Sequence, residues 1–254
     1  MRKRINFLGL IGIILIYVQL SFSLTGDEIL VKVEATQKAS KDSQGVIKMI
    51  IVSKRGSKKE RIIRFWGKRG KGENNDLQLL VFSSPAEVKN IGFLVKAEDQ
   101  MYLYLPGYRK VRRIASHSKR QSFVGSDFSY EDISPFYYTK HYQAELKEET
   151  EKSYLLELNR KPDSDRAYSK ILMWVDKESF LPNEMEMYDN SGKIWKRTEA
   201  SNQEKIKGYW ISRKIKLEDI KKGGFTTLIF EQIDFDLGLS ETMFTTRSLK
   251  RGGK

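Results

Sequence analysis

The sequence predicts a mainly β protein built on one antiparallel sheet, strongly curved or closed on itself. Three observations predict it. Short strand-like runs follow one another with no helix between them, residues with turn chemistry separate the runs, and within a run apolar and polar residues alternate. Evenly spaced strands imply neighbour-to-neighbour antiparallel pairing. Period two with one apolar face is what a half-buried sheet requires.

Residues 1–23 stand apart from the sheet. "MRKR" is a cationic start, "INFLGLIGIILIYVQL" an apolar run, and "SFS" supplies the small residues of a cleavage site. That order predicts a secretory leader cut between Ser23 and Leu24. The run is near the lower length of a spanning helix, so a retained anchor is the competing reading. The polar "TGDE" that follows at once, with no stop-transfer charge cluster, favours cleavage. Residues 24–254 then form a single exported domain.

An opening helix comes next. Thr25 and Glu28 have the spacing of a capping box, acids occupy the first turn, and Ile29, Leu30 and Val33 make an apolar stripe. "KDSQG" ends it. The strands follow as "VIKMIIVSK" (46–54), "ERIIRFWGK" (60–68), "DLQLLVFSS", "VKNIGFLVKA", "QMYLYLP" and "YRKVRRI". The last two meet at Pro106-Gly107, the pair expected at the centre of a type II turn. After a gap come "HYQAELKEE", "SYLLELNRK", "AYSKILMWVDK", "PNEMEMYDN", "KIWKRTEAS", "GYWISRKIKLED" and "GFTTLIFEQIDFDL". Apolar faces read as Met101, Leu103 and Leu105; Tyr154, Leu156 and Leu158; Ile171, Met173 and Val175; Met185 and Met187; Tyr209, Ile211 and Ile215; and Phe225, Ile229, Ile233 and Phe235. Glu184, Glu186, Lys214 and Lys216 fall on the opposite faces.

Composition narrows the function. The chain has no cysteine, so neither a disulfide framework nor a lipidated cysteine after the cut is available. Its formal charge is +13, and loss of the leader removes Arg2, Lys3 and Arg4 and no acid. An excess of this size favours anionic surfaces; export sets nucleic acid aside and leaves lipid head groups, or plain solubility. A transmembrane barrel would face its apolar side outward to lipid. The density of Lys, Arg and Glu on the polar faces fits water there instead.

Two segments remain to fill the concave side of such a sheet: the opening helix, and residues 115–138, which read as a short helical lid. A helix and a loop over a broad apolar concavity leave space for a ligand, and methionine is adaptable lining. Met101, Leu103, Phe123, Phe128, Tyr130, Phe136, Met173, Met185, Met187 and Ile229 are the candidate lining; ordinary core packing is the alternative for any one of them.

Enzyme patterns do not emerge. His117 and His141 are too few and too far apart for a metal site, there is no thiol nucleophile, and "GSDFS" is not the G-x-S-x-G elbow. The sequence implies no cofactor. Asp127, Glu131 and Asp132 instead suit the start of a one- or two-turn helix ended by Pro135, with Ser126 or Asp127 as its N-cap. The preceding basic run, with Arg109, Lys110, Arg112, Arg113, Lys119 and Arg120, is a solvated face, a partner for the lid acids, or a contact for anionic head groups at the cavity mouth. Arg109 and Arg113 with Asp127, Glu131 and Asp132 form a candidate lid latch.

"MYLYLPGYRKVRRI", "FVGSDFSYEDI" and "MFTTRSLKR", in that order and spacing, resemble the LolA-like outer membrane lipoprotein-sorting protein family. The resemblance extends over about Leu24 to Arg251 and falls on Tyr102, Leu105, Pro106, Gly107, Arg109, Arg113, Phe123, Asp127, Phe128, Tyr130, Glu131, Asp132, Phe244, Arg247, Leu249 and Arg251. Ser126 stands where threonine is common, which keeps the hydroxyl. The resemblance implies a half-open β-barrel with helices as a lid over an apolar cavity. It implies a periplasmic, non-enzymatic carrier for acyl chains of a lipoprotein or phospholipid, in transient contact with membrane donor and acceptor proteins. An accessory or adaptor of an envelope transport complex is the alternative.

Overall fold

The alternating runs become strands, and each pairs with its neighbour in sequence. In the computed structural model, which describes residues 24–72 and 75–253, the first six are β1 (Asp42–Val52), β2 (Lys58–Lys68), β3 (Leu77–Ser84), β4 (Gly92–Ala97), β5 (Gln100–Leu105) and β6 (Lys110–Arg113). The other seven are β7 (Tyr142–Glu149), β8 (Ser153–Arg160), β9 (Lys170–Asp176), β10 (Pro182–Tyr188), β11 (Ile194–Ile206), β12 (Tyr209–Asp219) and β13 (Gly224–Phe235). The predicted leader, residues 1–23, lies outside the described residues. No helix among the described residues is long and apolar enough to cross a membrane.

All thirteen strands lie in one antiparallel sheet, ordered β6-β5-β4-β3-β2-β1-β13-β12-β11-β10-β9-β8-β7. The pairing of β1 with β13 joins the two ends of the strand series, from Ser43 opposite Phe235 to Val52 opposite Phe225. The sheet does not close. Its free edges are β6 and β7, which follow one another in sequence, so residues 114–141 run between them.

The helix α1 (Gly26–Gln37) starts with the predicted capping box: Glu28 N–H donates to Thr25 Oγ1, and Thr25 N–H donates to a Glu28 carboxylate oxygen at 2.8 Å. Ile29, Leu30 and Val33 are wholly buried. The helix start also covers a free edge. Ala144 N–H of β7 donates to Asp27 at 2.8 Å, and a Cβ at Gly26 would stand 2.5 Å from the Ala144 carbonyl oxygen. Only glycine lets the helix approach that closely, and an edge so covered is unavailable to other chains.

One half of the sheet is buried on both faces. Phe65, Leu80, Phe82, Phe93 and Met101 point into the main core, while Trp66, Leu79, Val81 and Leu94 pack outside against Phe244 and Leu249. Leu249 belongs to the C-terminal helix Thr246–Lys250, and its side chain would lie 2.5 Å from a Cβ at Gly92. Burial of both faces is why "LQLLVF" and "GFLV" read as continuous apolar runs.

Three local expectations are corrected. Pro106–Tyr108 form a single 3-10 turn, with the left-handed residue at Arg109 (φ 49°), because a four-residue loop turns by a type I-like bend followed by a left-handed step. The lid helix α2 (Tyr130–Ile133) is capped by Ser129, whose hydroxyl accepts from Asp132 N–H at 3.1 Å; neither Ser126 nor Asp127 caps it. In β13 the alternation changes phase. Val46 pairs with Gln232 and Ile47 with Phe230, leaving Glu231 as a bulge. Leu228 and Phe230 therefore face inward before the bulge and Ile233 after it. Ile229 lies opposite Lys48 and Lys214 on the outer face, so it leaves the candidate lining.

Candidate functional site

The lid is built from a tight loop and two short helical turns. Ser122 and Ser129 form an isolated antiparallel bridge, and Phe123 N–H donates to the Phe128 carbonyl at 2.8 Å. Val124 (φ 48°) and Gly125 (φ 80°) turn the chain inside that bridge, and the Ser126 hydroxyl donates to the Phe123 carbonyl at 2.8 Å. The loop thus aims Phe123 downward, where its ring meets those of Phe82, Phe93 and Tyr130 at 5.7, 5.4 and 5.6 Å. Aromatic rings so arranged gain beyond their buried area.

Three carboxylates fasten the lid to the sheet and to the loop before β9. Asp127 accepts from the Thr226 hydroxyl of β13 at 2.6 Å, and its own N–H donates to the same oxygen at 3.0 Å. Glu131 lies 3.4 Å from the Arg166 guanidinium and accepts from Ala167 N–H at 3.3 Å. Asp132 meets the Lys196 ammonium of β11 at 2.6 Å and the Tyr168 hydroxyl, also at 2.6 Å. Burial opposes ionisation of Asp132, but Lys196 and Tyr168 outweigh it and hold the carboxyl below its usual range. Burial pushes the Glu131 carboxyl up, against the pull of Arg166. A buried charge needs such partners to be tolerated at all.

Beneath the lid lies a cavity of about 470 Å³. Ile47, Phe65 and Leu80 form one wall, Ile171, Met185, Met187, Ile215, Leu217, Leu228 and Phe230 the other, and Phe128, Ile133, Pro135, Phe136 and Tyr138 the roof. Asp132, paired with Lys196, also lines the cavity. Lys38, Lys41, Lys68, Arg69 and Asp76 line its polar end beside the end of α1, where none of them is buried, and this end is taken as the mouth.

The candidate lining residues divide. Phe128, Phe136, Met185 and Met187 stand in the cavity wall. Met101, Phe123, Tyr130 and Met173 are buried core, and Leu103 packs against it. The lid lies down on β3, β4 and β5 and fills that half of the concavity, which leaves the space to the other half. The candidate latch is re-paired. Arg113 reaches the exposed Asp99 at 4.0 Å and Arg109 turns a hairpin, while Arg166 and Lys196 take the lid acids. The strand register explains this. The edge carrying Lys68 continues through Leu77, Gln78 and Val95 to Met101, so the turn after Leu105 lies at the far end of the sheet from the cavity mouth.

The comparisons with known proteins fit this geometry. A family described as "Uncharacterized protein" has a model that matches residues 74–251. The crystal structure of a DUF1329 family protein from Desulfovibrio piger is 31% identical, with a TM-score of 0.82 over 88% of this chain and 97% of its own. The chain belongs to the DUF1329 family. It is also 29% identical to an outer membrane lipoprotein-sorting protein domain from Vibrio parahaemolyticus, with a TM-score of 0.81 over 89% of this chain and 98% of the other. A LolA superfamily protein from Nitrosomonas europaea shares the fold at 21% identity, with a TM-score of 0.72 over 89% of this chain and all of its own. No curated protein matches the sequence. The resemblance read from the sequence, to LolA-like outer membrane lipoprotein-sorting proteins, therefore holds for this DUF1329 family member.

Several site residues of this DUF1329 protein escaped the sequence reading. Arg166 sits in "PDSDRAY", a stretch with turn chemistry, yet it is 2% exposed, lies 4.4 Å over the Phe136 ring, and joins Glu131 to Glu98. Lys196 is legible only through pairing: it lies opposite Met187, and so shares the inward phase of the methionines. His141 stands between Ser164, 3.0 Å from Nδ1, and Glu98, 2.5 Å from Nε2. That row has the look of a nucleophile, base and orienting acid. However, Glu98 is also taken by Arg166 and Lys140, and neither Ser164 nor His141 lines the cavity. The row fastens the lid's end to the loop before β9. Among the described residues, no three His, Cys, Asp or Glu side chains gather as a metal site.

Proposed function

We propose that this protein is an exported, non-enzymatic carrier that takes an acyl chain of a lipoprotein or phospholipid into the lidded cavity. It then moves the chain across the periplasm, between inner and outer membrane. The carrying observation is the apolar cavity of about 470 Å³ between the sheet and the fastened lid. Burial of a chain gains roughly 0.8 kcal/mol per methylene, enough to offset much of the cost of leaving a bilayer. Met185 and Met187 adapt to a chain of irregular shape. Likeness to the lipoprotein-sorting domain from Vibrio parahaemolyticus supports the same reading.

Loading requires the lid to lift, and Asp127–Thr226 is the fastening at its tip. Because the chain has no cysteine of its own, an Asp127→Cys/Thr226→Cys pair gives one defined cross-link. The oxidised protein should take up a fluorescent acyl probe from vesicles at least about tenfold more slowly than the reduced protein. Equal uptake in both states would remove the lid from the mechanism. A reduced protein that takes up nothing, and is instead held in a stable complex with an envelope protein, would support the adaptor reading.

A further inference from the structure

The cavity mouth is charged in a way the carrier reading does not use. Lys41 stands just before β1, Lys68 ends β2 and Arg69 follows it. Asp42 pairs with Lys68, and Arg69 N–H donates to the Lys41 carbonyl at 2.9 Å, so all three cations share one end of the sheet. All three line the cavity, and because none of them is buried they mark its solvent side. The neighbouring acids are held in place by hydrogen bonds from neutral donors and keep their charge. Asp42 accepts from Leu237 and Leu239 N–H at 2.7 and 2.9 Å, Asp76 from Gly70 N–H at 3.3 Å, and Asp236 from Lys41 N–H and the Tyr209 hydroxyl. Lys38 differs, since Glu34 at 3.4 Å and the Tyr137 ring hold it. Among the described residues, the side chains of Lys41, Lys68 and Arg69 make no direct ion pair; the Asp236 carboxylate acts on Lys41 from longer range.

The interior carries no such excess, because Asp132 at its wall is neutralised by Lys196. The volume, about 470 Å³, lies in the lower half of the range of roughly 300–1,000 Å³ that accommodates one small molecule. An apolar pocket of that size, with Lys38, Lys41, Lys68 and Arg69 outnumbering Asp42 and Asp76 at its polar end, suits one chain inside and one negative head at the rim. We infer that the cargo is a single-chain amphiphile with an anionic head group, held at the mouth by Lys41, Lys68 and Arg69. The inference rests on the carrier reading and narrows it. A free fatty acid and a lysophospholipid share this chemistry, one through a carboxylate and the other through a phosphate.

The test is displacement of a bound, uncharged fluorescent acyl probe from the full chain without its leader. Competitors of equal chain length are palmitate, palmitoyl lysophosphatidate and hexadecanol, each below its micelle concentration. The two anions should displace the probe at roughly tenfold lower concentration than the alcohol, the scale of two or three exposed ion pairs acting together. That preference should vanish in Lys68→Glu/Arg69→Glu and in Lys68→Gln/Arg69→Gln, with probe affinity and thermal midpoint unchanged, and it should shrink in high salt. The stronger of the two anions identifies the head group. If hexadecanol competes as well as the anions, the head-group inference is overturned while the carrier reading stands. If the probe itself does not bind the wild-type protein, both fall.

Discussion

Asp132 and Lys196 meet at 2.6 Å with both side chains almost wholly buried. Lys196→Met leaves Asp132 buried without its cation and should destabilise the protein by about 3–5 kcal/mol in urea unfolding; adding Asp132→Asn should recover most of that loss. Glu98 supplies a second residue-level prediction. Burial opposes its ionisation, but His141, Lys140 and Arg166 hold its carboxyl well below the ordinary value of 4.5. A depressed folded pKa means that the unfolded state binds the proton more readily. The contribution is therefore complete above about pH 4.5 and is lost as the pH falls below it. Unfolding followed from pH 6 to pH 3 should show a shallower acid slope for Glu98→Gln than for the wild type; an identical slope would remove Glu98 from the lid's fastening. That Glu131 and Asp132 fall in the first turn of a short helix was legible from local pattern, whereas its cap is Ser129 and Asp127 lies outside it, bonded to Thr226. The partners of Glu131 and Asp132 were not legible, since Arg166 and Lys196 come to them over separations that no local pattern records.

At the scale of elements, the loop 122–129 and α1 are the parts that position the cavity. Phe123 is fully buried among three rings, and Phe123→Ala should cost about 3–5 kcal/mol and loosen the lid. Hydrogen exchange should then rise in 122–141 well before it rises in β9–β13. Gly26→Ala should push α1 away from Ala144 and expose the β7 edge, read as increased self-association at unchanged secondary structure. The strands and α1 were readable from alternation and the capping box. The bulge at Glu231 was not, because an inserted residue leaves Phe225, Ile229, Ile233 and Phe235 looking in phase while two of them are turned out. The same blindness placed Ile229 in the lining, where Leu228 and Phe230 stand.

For the whole molecule, the order of pairing decides where a ligand can go. Because β6 and β7 are consecutive in sequence and both are edges, the chain between them has to cross the open side of the sheet. Alternation and the spacing of the runs indicated a curved sheet with a lid. That the lid fills one half and leaves a cavity of about 470 Å³ in the other depends on side-chain volumes that only packing reveals. The central claim is that this space holds an acyl chain. It is tested most directly by mass spectrometry of the lipid extracted from protein purified after export, beside Leu228→Trp, which fills the cavity. The account predicts close to one single-chain amphiphile per wild-type molecule and little in the filled variant at equal stability. Wild-type protein that emerges without lipid, and stays empty after incubation with membranes, would contradict it.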